Sequence, residues 1–236
     1  MKFSDIKDLL MDFVYIFFPN NCATCGSSLM HSEEVVCTSC FAKLPRTGFF
    51  GVKDNFVEQL FWGKVNIINA VALYYYRKDG LVQELVHLFK YKNRPDVAIF
   101  LGKLLGASLA KTPNFQDIEV ILPVPLHISR ERIRGYNQSL QIALGITEIF
   151  ERPIDEHSLI RTKKTTTQTK KSRYDRAVNV DKMFEITKKS TLENKHILLI
   201  DDVITTGATL EACISAILEV KGTKVSVASV AVASQS

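Results

Sequence analysis

The sequence has no run approaching the roughly eighteen consecutive apolar residues that a bilayer-crossing helix needs, so membrane insertion is not expected. It also has little that resembles an export signal. The apolar stretch from Phe3 to Phe18 is broken by Asp5, Asp8 and Asp12, and only Lys2 precedes it. Phe3, Ile6, Leu10, Phe13 and Phe17 fall at helical spacing instead, which predicts an amphipathic helix laid on the main fold. The expected compartment is then the cytoplasm, where thiols stay reduced. Internal repeats and low-complexity tracts are lacking as well. Charged residues make up 23% and hydrophobic residues 46%, a balance that excludes a disordered or fibrous chain. With 236 residues, one sizeable core and a small satellite can form.

Cysteine is scarce, five in all, yet four lie between positions 22 and 40. Cys22-x-x-Cys25 and Cys37-x-x-Cys40 are two pairs eleven residues apart, and each pair can turn two thiolates toward one point. Four sulfurs in a tetrahedron make a closed site for Zn2+, with no position left for a reacting water, so the metal would staple the fold. Two disulfides are the alternative, and they belong to an oxidising compartment. His31 lies between the pairs and is not needed to complete the set. Cys213 falls on the apolar face of a helix and reads as a buried, inert thiol. Residues 19 to 48 contain few large apolar positions and cannot build a core alone. The expected division is therefore an N-terminal helix and zinc ribbon over 1–48 and a larger domain over 49–236. Metal removal is expected to unfold the ribbon and leave the larger core largely intact.

After the ribbon, Ala70 to Tyr76 reads as a strand, and Leu81, Leu85, Val86, Leu88 and Phe89 mark a helix that stops at Lys92-Asn93-Arg94. Pro95 suits the first turn of a second helix running through Leu109. Ile118 to Leu122 is a short apolar run closed by Pro123-Val124-Pro125, and Asn137 to Phe150 returns to helix. Lys195 to Ile200 is a buried strand, Leu210, Cys213, Ile214, Ile217 and Leu218 share a helix face, and Val225 to Val232 is a last strand. Strands alternating with helices predict an α/β fold with a parallel sheet covered on both faces.

The most informative stretch runs from Ile197 to Thr209. Four apolar residues lead to Asp201 and Asp202, and then Val203-Ile204-Thr205-Thr206-Gly207-Ala208-Thr209 turns into a helix, so that amides and hydroxyls converge. Gly207 lets the backbone approach a ligand, and Thr205, Thr206 and Thr209 add donors. The pattern supports an anion site without naming the anion. A plain strand end with Thr206 as helix cap and two exposed acids is the competing reading. From Arg161 to Lys189 there are ten Lys and Arg against three acids, so this segment alone makes the chain basic, at a formal +5. The segment has no apolar period and reads as a mobile loop with short paired strands at most, serving either as a solvated face or as a phosphate binder.

The Ile197 to Thr209 stretch resembles the phosphoribosyl pyrophosphate motif of type I phosphoribosyltransferases. The resemblance extends along the chain to the ComF (ComFC) branch of that family, through the cysteine pairs, Leu85-Val86-His87-Leu88-Phe89-Lys90-Tyr91, Pro123-Val124-Pro125-Leu126, Arg134-Gly135-Tyr136-Asn137-Gln138 and the Arg161 to Asn179 segment. It implies a type I phosphoribosyltransferase fold with a hood, here Ala70 to Tyr91. It implies that Asp201 and Asp202 bind the ribose hydroxyls, directly or through Mg2+, while Val203, Thr205, Thr206, Gly207, Ala208 and Thr209 hold the 5′-phosphate. Val124, Pro125 and Leu126 would form the pyrophosphate loop. Arg161, Gln168, Arg173 and Arg176, with Lys163 and Lys164, would close over the leaving group. Glutamine as nitrogen source is not expected, since the chain opens Met1-Lys2 where such relatives expose a cysteine. The resemblance also implies a link to natural competence, with single-stranded DNA and the competence helicase machinery as partners. For DNA, Tyr74, Tyr75, Tyr76, Tyr136 and Tyr174 are stacking candidates, although tyrosines in strands more often pack.

Overall fold

The computed structural model describes residues 20–162 and 183–233. The expected helix over Phe3 to Phe18 and most of the basic segment lie outside the described residues.

Two short helices come first, α1 (Thr38–Ala42) and α2 (Phe56–Gln59). They are followed by β1 (Ala70–Tyr76), α3 (Leu81–Tyr91), α4 (Pro95–Ala110), β2 (Val120–Pro123), α5 (Ile128–Arg134) and α6 (Gln138–Thr147). The chain continues through β3 (Leu159–Arg161), β4 (Phe184–Ile186), β5 (His196–Ile204), α7 (Ala208–Leu218) and β6 (Lys224–Ala233). Local chemistry accounts for the helix starts. Asn55 caps α2 through Val57 and Glu58 amides, Pro95 opens α4, and the Asn137 side chain accepts from the Ser139 amide at the head of α6.

Four strands form one parallel sheet in the order β1-β6-β5-β2. Its strands are almost wholly apolar because both faces are covered. On one face Leu198 and Ile200 pack with Val86 and Phe89 of α3, Leu101 and Leu105 of α4, and Ile142 and Ile146 of α6. On the other, Ile197 and Leu199 pack with Leu210, Cys213 and Ile214 of α7 and with Leu159, Phe184 and Ile186. Helices α4 and α6 meet backbone to backbone, since a Cβ on Gly102 would stand 2.2 Å from the Ile142 carbonyl oxygen and one on Gly145 2.0 Å from that of Ile99. Any side chain there would force the helices apart.

Adjacent strands β2 and β5 lead to helices on opposite faces, α6 in the first core and α7 in the second. Their outgoing loops therefore diverge and leave a crevice at the carboxyl ends of the strands, where open α/β sheets bind ligands. The two loops singled out from the sequence, Val124–Leu126 and Thr205–Gly207, stand at that crevice.

Two expectations change. Ala70–Tyr76, expected in a hood, is an edge strand of the central sheet, in register with Val227–Ala233. From that stretch α3 reaches the crevice through Lys90, which contacts Asp202. The ribbon is also joined to the larger core: Cys22, Val35, Val36, Cys40 and Leu44 are buried in one cluster with Leu73, Tyr74, Leu85 and Phe89. The antiparallel pair β3/β4, matching Leu159 with Ile186 and Arg161 with Phe184, ties together the two ends of the basic segment.

Candidate functional site

The buried strand does not stop before the acids. β5 runs through Asp201 and Asp202 to Ile204, and the inward alternation shifts phase at the acids: Val203 packs on the first core and Ile204 on the second. Each carboxylate is held locally. Asp201 Oδ1 accepts from the Asp202 amide (2.9 Å), and Asp202 Oδ1 from the Val203 amide (2.6 Å). The Ser139 hydroxyl, at the first turn of α6, lies 3.3 Å from Asp201 Oδ1.

Neither acid is merely exposed. Asp202 accepts from the Lys90 ammonium at 2.8 Å on both oxygens, with only 18% of the lysine and 13% of the aspartate side chain exposed. At Asp201, burial, and then the neighbouring Asp202 charge, raise the carboxyl to about 7. Two acids side by side thus differ, one paired with an ammonium and one readily protonated, because α3 supplies a single cation to a site holding two carboxylates.

Two predictions arise here. Lys90→Met leaves Asp202 without its cation and should cost about 2 kcal/mol, or roughly 5 °C in Tm, and adding Asp202→Asn should recover most of that loss. Thermal melts of the single and double variants check this. A raised folded pKa means that Asp201 contributes stability below its unfolded value near 3.8 and loses it as pH climbs through about 7. Asp201→Asn should therefore gain stability relative to wild type between pH 4 and 7, by at most about 1.4 kcal/mol per unit, and the gain should then level off. Denaturant midpoints at a series of pH values read this out.

After β5 the chain turns at Thr205–Gly207. Gly207 caps α7 with φ +79°, a left-handed conformation open to glycine at little cost, and its carbonyl accepts from Glu211. The cap residue is thus Gly207 and not Thr206, whose hydroxyl accepts only a long bond from the Ala208 amide at 3.4 Å. Asp201 and residues 203–210 line a small open hollow of about 40 Å³, enough for a small anion. Amide donors and the positive end of α7 favour negative charge there.

On the other side of the crevice, the Val124 amide donates to the Ile200 carbonyl (2.9 Å), and the Val124 carbonyl accepts from Asn137 Nδ2 (3.1 Å). The cap residue of α6 thereby holds the Val124-Pro125-Leu126 turn against β5. Arg161 sits at the end of β3 with its guanidinium 5.4 Å over the Phe184 ring. Gln168, Arg173 and Arg176 lie outside the described residues. The structure brings together Asp201, Asp202, the Val203–Thr209 loop and the Val124–Leu126 turn. It adds Lys90 and Ser139, which the sequence analysis did not single out.

The sulfurs of Cys22, Cys25, Cys37 and Cys40 all lie within 4.8 Å of one another, and those of Cys25 and Cys37 are 3.7 Å apart. A tetrahedral zinc–thiolate set, with bonds of about 2.3 Å, has edges of about 3.8 Å, so the cluster fits a structural metal. Burial opposes ionisation of Cys22, but the Cys25 amide, the Thr24 hydroxyl and the Cys37 amide outweigh it and draw the thiol down to about 5. At Cys40 the Thr24 hydroxyl favours the thiolate, yet burial and the other three thiols push it up to about 11. A bound cation would let all four ionise.

The phosphoribosyl transferase domain family matches residues 120–236, which covers β2 to β6 and both loops of the crevice. Competence protein F of Haemophilus influenzae is 28% identical over 210 residues, 82% of this chain and 89% of that protein. Competence protein ComFC of Bacillus subtilis is 32% identical over 154 residues, 65% of this chain and 60% of that one. DNA utilization protein YhgH of Escherichia coli is 30% identical over 129 residues, 53% and 56% of the two chains. The chain thus spans somewhat more than half of the latter two relatives. A phosphoribosyl transferase domain, with four clustered cysteines ahead of it and these relatives beside it, makes the chain similar to the ComF family of phosphoribosyltransferase-like proteins.

Proposed function

We propose that the chain binds 5-phosphoribosyl 1-pyrophosphate with Mg2+ and transfers the phosphoribosyl group to an acceptor, in the service of natural competence. The observation that carries this reading is the pair Asp201–Asp202 at the crevice, followed directly by an anion-sized hollow at the head of α7. In this reading Asp201 and Asp202 face the ribose hydroxyls, Val203 and Thr205–Thr209 hold the 5′-phosphate, and Val124–Leu126 lie along the pyrophosphate. The two carboxylates are hard oxygen donors that suit Mg2+, which when bound would offset charge on the pyrophosphate. Lys90 holds Asp202 in place, and Arg161, Gln168, Arg173 and Arg176 close over the leaving group and exclude water. Breaking the bond at C1 of the ribose builds positive charge on the sugar and negative charge on pyrophosphate, so positioning and electrostatics carry the reaction without a protein nucleophile.

The ribbon over 1–48 would serve as a zinc-stapled module of the domain over 49–236. Among the described residues no helix is long and apolar enough to cross a membrane; the proposed compartment is the cytoplasm. Pyrophosphate release from phosphoribosyl pyrophosphate in the presence of candidate acceptors tests the enzyme reading, and release with none of a broad acceptor panel would count against it.

The names of the relatives favour a second reading, the handling of incoming single-stranded DNA beside the competence helicase, with the ligand site regulatory or vestigial. Binding through the basic segment should then weaken with salt at a log–log slope of about −0.7 per phosphate neutralised, and changing Lys163, Lys164, Lys170 and Lys171 to Ala should flatten the slope. If the segment serves the sugar-phosphate site alone, those changes should reduce turnover while strand binding stays negligible at every salt concentration.

A further inference from the structure

Arg134-Gly135-Tyr136-Asn137-Gln138, the stretch that joins α5 to α6, has no ligand group to hold in the phosphoribosyl reading, yet it contacts separate walls of the crevice. The Tyr136 hydroxyl donates to the Phe89 carbonyl of α3. The Arg134 guanidinium stands 5.3 Å from the centre of the Tyr91 ring. Between Phe89 and Tyr91 lies Lys90, whose ammonium meets Asp202, so the stretch grips α3 on both sides of the residue that α3 sends to the acids. Further along, the Asn137 side chain donates to the Val124 carbonyl (3.1 Å), and the Ser139 hydroxyl lies 3.3 Å from Asp201 Oδ1. Residues 134–139 thus touch α3, the Val124 turn and β5 together.

The grip falls where α3 is least able to hold itself. Carbonyls in the final turn of a helix have no amide further along it to accept from, and Phe89 lies in that turn. The Tyr136 hydroxyl supplies the missing donor. Burial, and then the Asp96 charge, hold its phenol above the usual range, so the donated proton stays on the tyrosine. Tyr136 is fixed in turn: Gln138, 1% exposed, donates from Nε2 to the Tyr136 carbonyl (3.0 Å) and accepts at Oε1 from Arg134 (2.9 Å). Gly135, with φ +79°, closes α5 through the Glu131 carbonyl and turns the chain between Arg134 and Tyr136. A lysine side chain is long and flexible, so its ammonium is placed only as firmly as the helix turn that carries it. We propose that Tyr136 is a positioning residue for Lys90: its hydroxyl fixes the end of α3 so that the ammonium stays on Asp202, in register with the Val124 turn that the neighbouring Asn137 holds. A consequence for phosphoribosyl pyrophosphate rests on the phosphoribosyl reading, while the placement of Lys90 does not.

The test uses the full zinc-loaded chain and Tyr136→Phe, which removes one oxygen. Nitrogen-15 NMR of the Lys90 side chain reads placement directly, because an ammonium held on a carboxylate exchanges its protons slowly enough to be seen. The wild type should show a Lys90 signal that both Asp202→Asn and Tyr136→Phe broaden or abolish. Arg134→Gln, which loosens the grip from the Tyr91 side, should weaken the same signal and serves if Tyr136→Phe does not fold. In calorimetry with Mg2+, Lys90→Met and Tyr136→Phe should each weaken phosphoribosyl pyrophosphate about tenfold, or about 1.4 kcal/mol. The double variant should bind no more weakly than Lys90→Met alone, since Tyr136 acts through Lys90. A Lys90 signal absent from the wild type, a signal unchanged in Tyr136→Phe, or losses that multiply to about 100-fold in the double variant would overturn the inference. Absence of phosphoribosyl pyrophosphate binding in the wild type would instead strike the phosphoribosyl reading, and the Lys90 signal would then decide the placement by itself.

Discussion

Stripping metal from Cys22, Cys25, Cys37 and Cys40 should lower the Tm of the whole protein by roughly 10 °C or more, in a single transition. Structural zinc contributes about 10–16 kcal/mol of apparent binding free energy in small modules, and losing even about 4 kcal/mol of it produces a shift of that size in a chain of this length. The loss should not stay local. Cys22 and Cys40 are buried against the cluster that holds Leu73, Tyr74, Leu85 and Phe89. The segment leaving the ribbon also adds to β1: the Tyr75 amide donates to the Pro45 carbonyl (2.8 Å) and the Thr47 amide to the Leu73 carbonyl (3.1 Å). The sequence alone predicts an independent ribbon. The shared core predicts one cooperative unit. Cys37→Ser/Cys40→Ser should therefore lose its zinc, by elemental analysis, and melt early as a whole. A low ribbon transition followed by an unchanged main one would show the two parts to be independent.

Asp201→Asn/Asp202→Asn should weaken magnesium-dependent phosphoribosyl pyrophosphate binding by about 100-fold, or about 2.7 kcal/mol, since both anionic oxygen donors are lost at once. The fold should survive, because leaving Lys90 without its partner costs about 2 kcal/mol, as Lys90→Met does, and Asp201→Asn removes a carboxylate whose ionisation burial opposes. Far-ultraviolet circular dichroism beside calorimetric titration separates folding from binding. Equal affinity in wild type and variant would remove both acids from the ligand site.

The elements legible in the sequence were those whose signal is local. Of Leu81, Leu85, Val86, Leu88 and Phe89, which recur at helical spacing, Leu85, Val86 and Phe89 are on the buried face of α3, where Val82 joins them. The cysteine pairs and the Thr205–Gly207 turn are equally short-range, and each is found where its spacing puts it. What escaped depends on pairings across the chain. The role of Lys90 comes from a contact with a residue 112 positions away, and no window around it reveals that partner. One cue existed: Lys90 lies four residues after buried Val86, on the same helix face, where a lysine needs a reason. The place of β1 at the edge of the central sheet follows from parallel pairing with β6, which a run of apolar and aromatic residues leaves undetermined. The acids were expected at the end of a strand that proves to run through them, because the break in apolar residues lies inside β5 and marks no boundary.

Calorimetric titration of the zinc-loaded wild type decides whether the crevice between β2 and β5 is a magnesium-dependent site for a sugar phosphate carrying pyrophosphate. The expected result is one molecule of phosphoribosyl pyrophosphate per chain with Mg2+ present, with affinity falling at least about tenfold when the ion is chelated. No detectable binding with Mg2+, or binding of the same strength without it, would contradict the account.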